Sequence, residues 1–553
     1  MELFLRAWMG GQGIIQPALC GSGMANRWLP VSVKAFMARS PRVGRRIGGL
    51  AGDAMKGTAG MNNSGQSTAE PWRRRRRIAR RSISVLALGL AAMSCSTLSS
   101  VKDTMLGTAA GPGAPGYVEG FLGGVVADEP RAVLAGRQVL STGGNAADAA
   151  TAMAFALSVT LPSRAGLGGG GACVAYFTDP KSANGGAAEA ILFVPAAADG
   201  GGAPADRPAA QPMLARGMFL LQARYGSRPI EAMMSPAEQM ARFGVPASRA
   251  LTRDLAEVAG PLFTDPSARA VFGRGGAPLA EGSLLVQPEL GATLAQLRVA
   301  GVGDLHLGVL AKRIEQVSPR AGGPISLADL KAALPSLAAP INLDAGNDIV
   351  SFLPPPADGG LAAAAAFQTL WQDRRSGVPL DIAGARAASV AARWRSVGGD
   401  PAALLKEAVP TGSLPDLPAS TSFVTLDRNG NSVACALSLN NLFGTGRMMP
   451  GMGFLIAASP RSVAPPLLAA AIAWNKPTHA FRAAAAGSGQ QGAALAVAAG
   501  MADALRSARG AIAPAPEPGR ANVITCGGYL PGEDQTCRWQ TDPRGAGLAA
   551  GSN

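Results

Sequence analysis

The sequence predicts an α/β (α+β) protein in which stacked sheets are covered by helices. Two observations support this, and a third locates the charge of the chain. From Tyr117 onward, short apolar runs typical of buried strands bracket a middle region with helical spacing. Apolar residues make up 48% of the 553 residues, enough for a large core. Residues 1–81, with 15 basic and 3 acidic side chains, hold +12 of the net charge of +14, so the remaining chain is almost neutral.

This charge distribution argues against a nucleic-acid-binding protein, although the pI is near 10.1. Nucleic-acid binding needs a basic surface on the folded domain, and the residues after 81 carry a net charge of only +2. The chain has two histidines, His306 and His479, which excludes a multi-histidine zinc site and limits histidine-dependent catalysis. We expect no nucleic-acid partner, no metal and no cofactor.

Residues 61–95 have the layout of a secretory signal peptide. Basic residues at 73–81 precede an apolar run from Ile83 to Met93, which is too short to span a bilayer, and Cys95 follows. Cys95 resembles the lipidated cysteine of bacterial lipoproteins. The alternative is a basic linker before a buried helix.

The same pattern sets the expected organisation and compartment. A signal peptide that starts at Met61 leaves residues 1–60 as a doubtful N-terminal extension, and the Ser/Gly/Ala/Pro-rich residues 96–116 are a linker. We expect export to the periplasm or the outer membrane of a bacterium, with a lipid anchor at Cys95 as the membrane contact.

Elements of both kinds follow in order after residue 117. The spacing predicts strands at 124–127, 172–177, 190–194 and 349–353, and helices over 129–140 and 146–159. Residues 213–337 and 361–408 are predicted to be mainly helical. Two further strands, SFVTLD and SVACALSL, are joined by the turn residues Asn429 and Gly430, which predict a hairpin.

Two glycine-rich segments invite a ligand-binding interpretation. GSGQQG at 487–492 fits a dinucleotide-binding pattern, but no ribose-binding acid follows, so a strand-to-helix turn is the simpler interpretation. GGGG at 168–171 lacks the Lys-Ser/Thr pair of a phosphate loop, which favours a close approach of two backbones.

The cysteines follow the compartment argument. Cys173 and Cys435 lie in apolar, strand-like runs, where we expect buried free thiols. Cys526 and Cys537 flank a Gly/Pro turn, and in an oxidising compartment they are expected to form a disulfide that closes a hairpin. Two unpaired cysteines are the alternative for this pair.

A hydroxyl cluster, Ser420-Thr421-Ser422, precedes the predicted hairpin. With so few histidines, a serine or threonine nucleophile needs another base. An α-amino group freed by chain cleavage can act as that base, because its pKa is near 8.

Several segments together resemble the gamma-glutamyltranspeptidase (glutathione hydrolase) family of N-terminal-nucleophile hydrolases. GGNAADAA at 143–150 resembles the family's GGNAxDAA, and GLGGGG at 166–171 its glycine run. PPPADGG at 354–360 resembles PPPSSGG. Residues 420–446 match TTHxSVVDxxGNAVxxTxTxNxxFGTG without a gap. The resemblance implies a four-layer α/β/β/α fold and a precursor that cuts itself, giving a large-subunit segment, 117–419, and a small-subunit segment, 420–553.

The ungapped match also implies site residues. Ser420 takes the place of the nucleophile and Ser438 that of the second hydroxyl that helps to activate it; Thr421 would require a shift of one residue. Asn440 takes the place of an asparagine that contacts the substrate's amino-acid head. Gln490 and Gln491 fall on the glycine pair of the oxyanion hole.

Other positions depart from the family pattern. The arginine that grips the glutamyl α-carboxylate falls on Val194, and the serine pair that also binds it falls on Leu468 and Ala469. Ser422 replaces a histidine, and the acid that holds the substrate ammonium has no evident counterpart. Two hypotheses follow: an exported enzyme acting on a small amide or peptide, with weak or altered γ-glutamyl activity, or a catalytically inactive member serving as a binding or structural lipoprotein.

Overall fold

The computed structural model describes residues 120–372, 378–507 and 515–552. The predicted N-terminal extension, signal peptide, lipidation site Cys95 and linker lie outside the described residues.

The described residues form seventeen strands. They are β1 Gly123–Ala127, β2 Gly170–Tyr176, β3 Ala188–Phe193, β4 Val245–Pro246, β5 Gly273–Arg274, β6 Ala277–Pro278, β7 Leu284–Leu285, β8 Ser336–Ala338, β9 Ile341–Ala345, β10 Asp348–Phe352, β11 Thr421–Asp427, β12 Ser432–Ser438, β13 Ala469–Asn475, β14 Phe481–Ser488, β15 Arg520–Leu530, β16 Glu533–Thr541 and β17 Leu548–Gly551.

Fourteen α-helices occur in the same ranges. They are α1 Pro130–Ser141, α2 Ala146–Thr160, α3 Leu214–Tyr225, α4 Ile230–Phe243, α5 Arg249–Leu262, α6 Pro266–Phe272, α7 Pro288–Ala300, α8 Asp304–Leu307, α9 Val309–Val317, α10 Leu327–Ala332, α11 Gly359–Gln372, α12 Leu380–Val397, α13 Pro401–Lys406 and α14 Gly492–Arg506.

Two large antiparallel sheets carry the fold. The seven-stranded sheet has the order β17-β1-β11-β12-β2-β3-β8, and the six-stranded sheet has the order β16-β15-β14-β13-β10-β9. The predicted hairpin forms β11 and β12, with Thr421 opposite Leu437 in the register. The hairpin therefore lies near the centre of its sheet, with β1 on one side and β2 on the other.

Three apolar clusters separate four layers. One lies between the seven-stranded sheet and helices such as α2, and includes Phe423. A second lies between the six-stranded sheet and α11, α12 and α14, and includes Val497. The third fills the space between the sheets, with Val424 and Ile472 among its members. This arrangement confirms the α/β/β/α sandwich that the sequence implied.

The GGNAADAA segment starts α2 with a reciprocal cap. The Asn145 side chain accepts a hydrogen bond from the Asp148 N–H at 3.0 Å, and the Asp148 carboxylate accepts one from the Asn145 N–H at 2.9 Å. Asp148 also accepts from the Ser227 N–H at 3.0 Å. The motif thus positions a buried helix against the start of α4.

The glycine run before β2 allows strands to approach closely. A Cβ atom on Gly168 or Gly169 would overlap the backbone oxygen of Leu455 or Ser438, and one on Gly170 would overlap that of Phe193. The run is therefore required by packing rather than by a phosphate, as the sequence favoured.

The cysteine pairing differs from the expectation at one place. Cys173 and Cys435, expected as buried free thiols, are joined by a disulfide. They are direct partners in the β2–β12 register with Cα atoms 4.1 Å apart, a proximity that their sequence separation of 262 gives no sign of. Cys526 and Cys537 are also bonded, across β15 and β16.

No helix in the described ranges is both long enough and apolar enough to span a bilayer.

Acidification is expected to destabilise the protein through His306, which is 1% exposed in α8. Burial and the charge of Arg216 lower the pKa of its imidazole to about 4 from 6.5. As the pH falls, the imidazole is therefore protonated in the unfolded chain before it is protonated in the folded one. The stability that comes from keeping His306 neutral is complete above pH 6.5 and is lost between about pH 6.5 and 4. The loss amounts to roughly 3 kcal/mol at most.

Urea unfolding of the wild type and of His306→Asn at pH 7 and pH 5 checks this. The variant retains an amide that can donate to the Leu330 carbonyl, as the ring Nδ1 does at 3.2 Å. We expect its midpoint to fall less on acidification than the wild-type midpoint. An equal fall in both proteins would exclude His306 as the source.

Candidate active site

Ser420 and Ser438 meet at one end of the β11–β12 hairpin. Ser420 directly precedes β11 and Ser438 ends β12, and both are fully buried. Side chains alternate along a strand, so Ser420 shares the face of Val424, which packs between the sheets. Thr421 shares the opposite face with Phe423, which packs against the helices. Only Ser420 of the two therefore faces the space between the sheets.

The Ser438 hydroxyl points at the peptide bond that precedes Ser420. It donates to the Ala419 carbonyl at 3.4 Å and accepts from the Asn440 N–H at 2.8 Å. The first distance is long for a hydrogen bond and the second is ordinary. Ser438 is thus oriented by backbone and directed at the carbonyl oxygen of the Ala419–Ser420 bond.

Buried polar atoms without partners collect in this region. Among the described residues, Ser420 Oγ and Asn440 Oδ1 make no hydrogen bond. Asn440 is fixed through its Nδ2, which donates to the Ala458 carbonyl at 3.1 Å and to the Pro195 carbonyl at 3.4 Å. Most buried polar atoms in proteins are paired, so this group suits a site that binds polar atoms of another molecule.

Sequence reasoning missed Arg164, which lies beside the nucleophile position. Arg164 Nε and Nη2 contact the Asp254 carboxylate at 2.7 and 2.6 Å, and Nη1 donates to the Ser420 carbonyl at 3.4 Å. Burial lowers the pKa of Arg164, but the charge of Asp254 and the hydrogen bonds to it raise that pKa by more than burial lowers it. The net result is a raised pKa. A permanent positive charge therefore lies next to Ser420. The sequence signal that could have found it is a single arginine just before the glycine run at 166–171.

Asp128 and Asn522 form a second missed group, which holds the two residues after Ser420. Asp128 Oδ2 accepts from the Ser422 N–H at 3.0 Å and from the Thr421 hydroxyl at 3.1 Å. Its Oδ1 accepts from Asn522 Nδ2 at 2.8 Å. Asn522 also donates to the Ser422 hydroxyl at 2.9 Å, so β15 of one sheet is tied to β11 of the other.

Gln490 and Gln491 lie in the turn between β14 and α14. Gln490 has a φ of 53°, a left-handed conformation that favours glycine. Gln491 Nε2 donates to the carbonyls of Leu414 and Pro415, at 3.3 and 3.0 Å. The Gln491 side chain thus binds the segment that leads to Ser420. β14 is antiparallel to both neighbours, so GSGQQG is a strand-to-helix turn and not part of a dinucleotide-binding βαβ unit.

The positions that the sequence resemblance aligns with carboxylate-binding groups are apolar. Leu468 is 2% exposed and Ala469 is fully buried. Val194 packs against the apolar cluster between the sheets. None of these side chains can pair with a carboxylate.

Neither histidine is placed to act on Ser420. His306 lies in the helical layer and contacts the Leu330 carbonyl. The His479 carbonyl accepts from the Tyr176 hydroxyl, and Tyr176 is opposite Ser432, six residues from Ser438 along β12. That separation is about 20 Å along a strand. A base for Ser420 must come from elsewhere.

Comparisons with known proteins agree with this architecture. A family model described as gamma-glutamyltranspeptidase matches residues 132–389. The glutathione hydrolase proenzyme of Escherichia coli is 28% identical over 250 residues, 43% of each chain. The acylase ACY 1 proenzyme of a Pseudomonas species is 28% identical over 390 residues, 61% of this chain and 68% of that relative. The solved cephalosporin acylase of Bacillus halodurans superposes with a TM-score of 0.62 at 19% identity, covering 80% of this chain and 97% of that one.

These matches differ in extent. The match spans less than half the length of the Escherichia coli relative, whereas the acylase structure is covered almost completely and shows the shared fold. The GGNAADAA cap and the glycine run fall within the region that the family model matches. Residues 132–389 thus resemble the gamma-glutamyltranspeptidase family, and the chain shares the fold of the solved acylase.

Proposed function

We propose that the chain is an exported amide hydrolase that cuts itself between Ala419 and Ser420 and then uses Ser420 as an N-terminal nucleophile. One observation carries the proposal. The unpartnered Ser420 Oγ is adjacent to the Ala419–Ser420 peptide bond, whose carbonyl oxygen accepts a hydrogen bond from the Ser438 hydroxyl. Residues 117–419 and 420–553 then become the large and small segments.

The self-cleavage step is an acyl shift followed by hydrolysis. Ser420 Oγ attacks the Ala419 carbonyl carbon, and the Ser438 hydroxyl stabilises the oxyanion that forms. The Ala419–Ser420 C–N bond breaks as the Oγ proton passes to the leaving nitrogen. Water then hydrolyses the ester, giving an Ala419 carboxylate and a free Ser420 amine. That amine is the base which the histidines do not supply.

The substrate in this proposal is a small amide or peptide whose acyl part lacks the γ-glutamyl head. Val194, Leu468 and Ala469 offer apolar surface in place of carboxylate partners. Burying a carboxylate or an ammonium without partners costs several kcal/mol, so γ-glutamyl amides are poor substrates here. The names of an acylase relative and of an acylase structure are consistent with such a substrate.

Export has independent support. Both disulfides are fully buried, and disulfides persist mainly in oxidising compartments. The signal-peptide pattern at 61–95, with a lipid anchor at Cys95, is the proposed route.

A second candidate is a catalytically inactive member that serves as a binding or structural lipoprotein. Glutamines at both oxyanion-hole positions favour it, because Gln491 is held by the segment before the nucleophile. A reducing denaturing gel with fragment sequencing separates the two candidates. The hydrolase gives a 134-residue fragment that begins Ser-Thr-Ser-Phe, and the inactive member gives one uncut chain.

Asp128 is expected to position Ser420 for this cleavage. Asp128→Asn replaces a carboxylate, whose two oxygens both accept hydrogen bonds, with an amide that has one acceptor and one donor. Because the Ser422 N–H then has a weaker or lost acceptor, we expect self-cleavage to slow about tenfold or more. Thr421→Val, which loses the hydroxyl bond to Asp128, should slow it less and leave the cut at the same bond.

Thr425→Val is the matched control, since Thr425 is on the same strand face and its hydroxyl donates to the Ala146 carbonyl at 2.8 Å. Cleavage rates and thermal midpoints are measured together for all variants. A Thr425→Val protein that slows as much as Thr421→Val would show that the effect is general destabilisation.

A further inference from the structure

The disulfide between Cys173 and Cys435 joins two central strands of the seven-stranded sheet. Cys173 lies in β2 and Cys435 in β12, directly opposite each other, and both are fully buried. In sequence, Ala419 and Ser420 lie between them. The bond therefore spans the position of the proposed cut.

The other disulfide does not span that position. Cys526 and Cys537 are 11 residues apart, and both lie within the segment that follows Ser420. The two bonds have the same local geometry, since each links opposite residues of adjacent antiparallel strands. They differ in whether their two ends fall in different products of the cleavage.

We infer that the Cys173–Cys435 bond makes the cut protein a covalently linked pair of segments. The inference rests on the proposed self-cleavage, because without the cut there is only one chain to link. The segments then stay together independently of concentration, whereas an unlinked pair depends on its noncovalent contacts alone.

The position of the bond gives it a role at the site. In the same strand pair, Ser438 is opposite Gly170, three residues from the cysteines and about 10 Å along the strand. After the cut, Ser438 and the glycine run belong to different segments. The bond fixes the register of the two strands at Cys173 and Cys435 and makes their reassociation an intramolecular step.

The bond forms by thiol–disulfide exchange with a disulfide-bearing oxidant in the compartment to which the protein is exported. The two cysteine thiols lose two protons and two electrons, and the oxidant's disulfide becomes two thiols. A dithiol such as dithiothreitol reverses the step under denaturing conditions and becomes oxidised.

Paired denaturing gels of the purified full chain test the inference. We expect one band without dithiothreitol and two bands with it. Intact mass of the non-reduced protein then shows a chain heavier by one water molecule than an uncut chain. The double variant Cys173→Ala/Cys435→Ala should give two bands in both lanes. The matched control, Cys526→Ala/Cys537→Ala, should behave as the wild type does.

The outcomes separate the two claims. Two bands without reductant in the wild type contradict the link and leave the self-cleavage intact. One band in both lanes, with no added water in the mass, contradicts the self-cleavage and with it the inference.

A second measurement does not need the cysteine variants to fold well. The urea midpoint of the cut, oxidised protein should be unchanged over a hundredfold dilution, because unfolding of a linked pair is unimolecular. A midpoint that falls on dilution of the oxidised protein would overturn the link.

Discussion

Ser420→Ala is expected to leave a single uncut chain, with self-cleavage reduced by about 10⁴-fold or more, since the attacking oxygen is removed. Thr421→Ala should still be cut between residues 419 and 420. The reason is the strand register: Ser420 shares the face between the sheets with Val424, whereas Thr421 faces the helices and bonds to Asp128. A shift of one residue would move the nucleophile to the wrong side of the sheet.

Reducing gels and N-terminal sequencing measure this effect. The matched pair of variants controls for loss of fold, because each removes one buried hydroxyl from adjacent residues. Cleavage that survives Ser420→Ala and fails in Thr421→Ala would move the nucleophile to Thr421.

The second large effect is expected in substrate preference. A butanoyl anilide should be hydrolysed with a kcat/KM roughly 10²-fold or more above that of the matching γ-glutamyl anilide. The γ-glutamyl compound carries an α-carboxylate, for which the aligned positions are the apolar Val194, Leu468 and Ala469, and an α-ammonium, for which the sequence has no evident acidic partner. These side chains can desolvate the charges but cannot pair with them.

Initial rates of the self-cleaved wild type on the two anilides provide the comparison. Ser420→Ala serves as the blank for trace contaminants, since it has no nucleophile. A preference for the γ-glutamyl compound would contradict the apolar site.

Patterns within short stretches of sequence predicted the β11–β12 hairpin and the helix α2. The alternation of SFVTLD and SVACALSL, with Asn429 and Gly430 between them, predicted the hairpin that places Ser420 and Ser438 together. The helical spacing predicted a helix over 146–159, and the structure has α2 at Ala146–Thr160. Each of these depends on residues within a few positions of one another, so a sequence displays them.

Groups built from distant segments were not predictable in the same way. Arg164 meets Asp254 across 90 residues, and Asn522 meets Asp128 across 394. The disulfide of Cys173 joins residues 262 apart, where the sequence suggested free thiols. These contacts depend on the strand order and on how the two sheets pack, which local spacing does not encode.

Mass spectrometry of a trapped acyl-enzyme tests the central claim most directly. The cut wild-type protein is mixed briefly with the butanoyl anilide, quenched in acid, reduced and analysed as separate fragments. We expect one butanoyl group on the fragment that begins at Ser420, located on the Ser420 side chain, and its loss as hydrolysis proceeds. A fragment that starts at Ser420 and never carries the group while anilide is consumed, or a group located on another residue, would contradict Ser420 as the nucleophile.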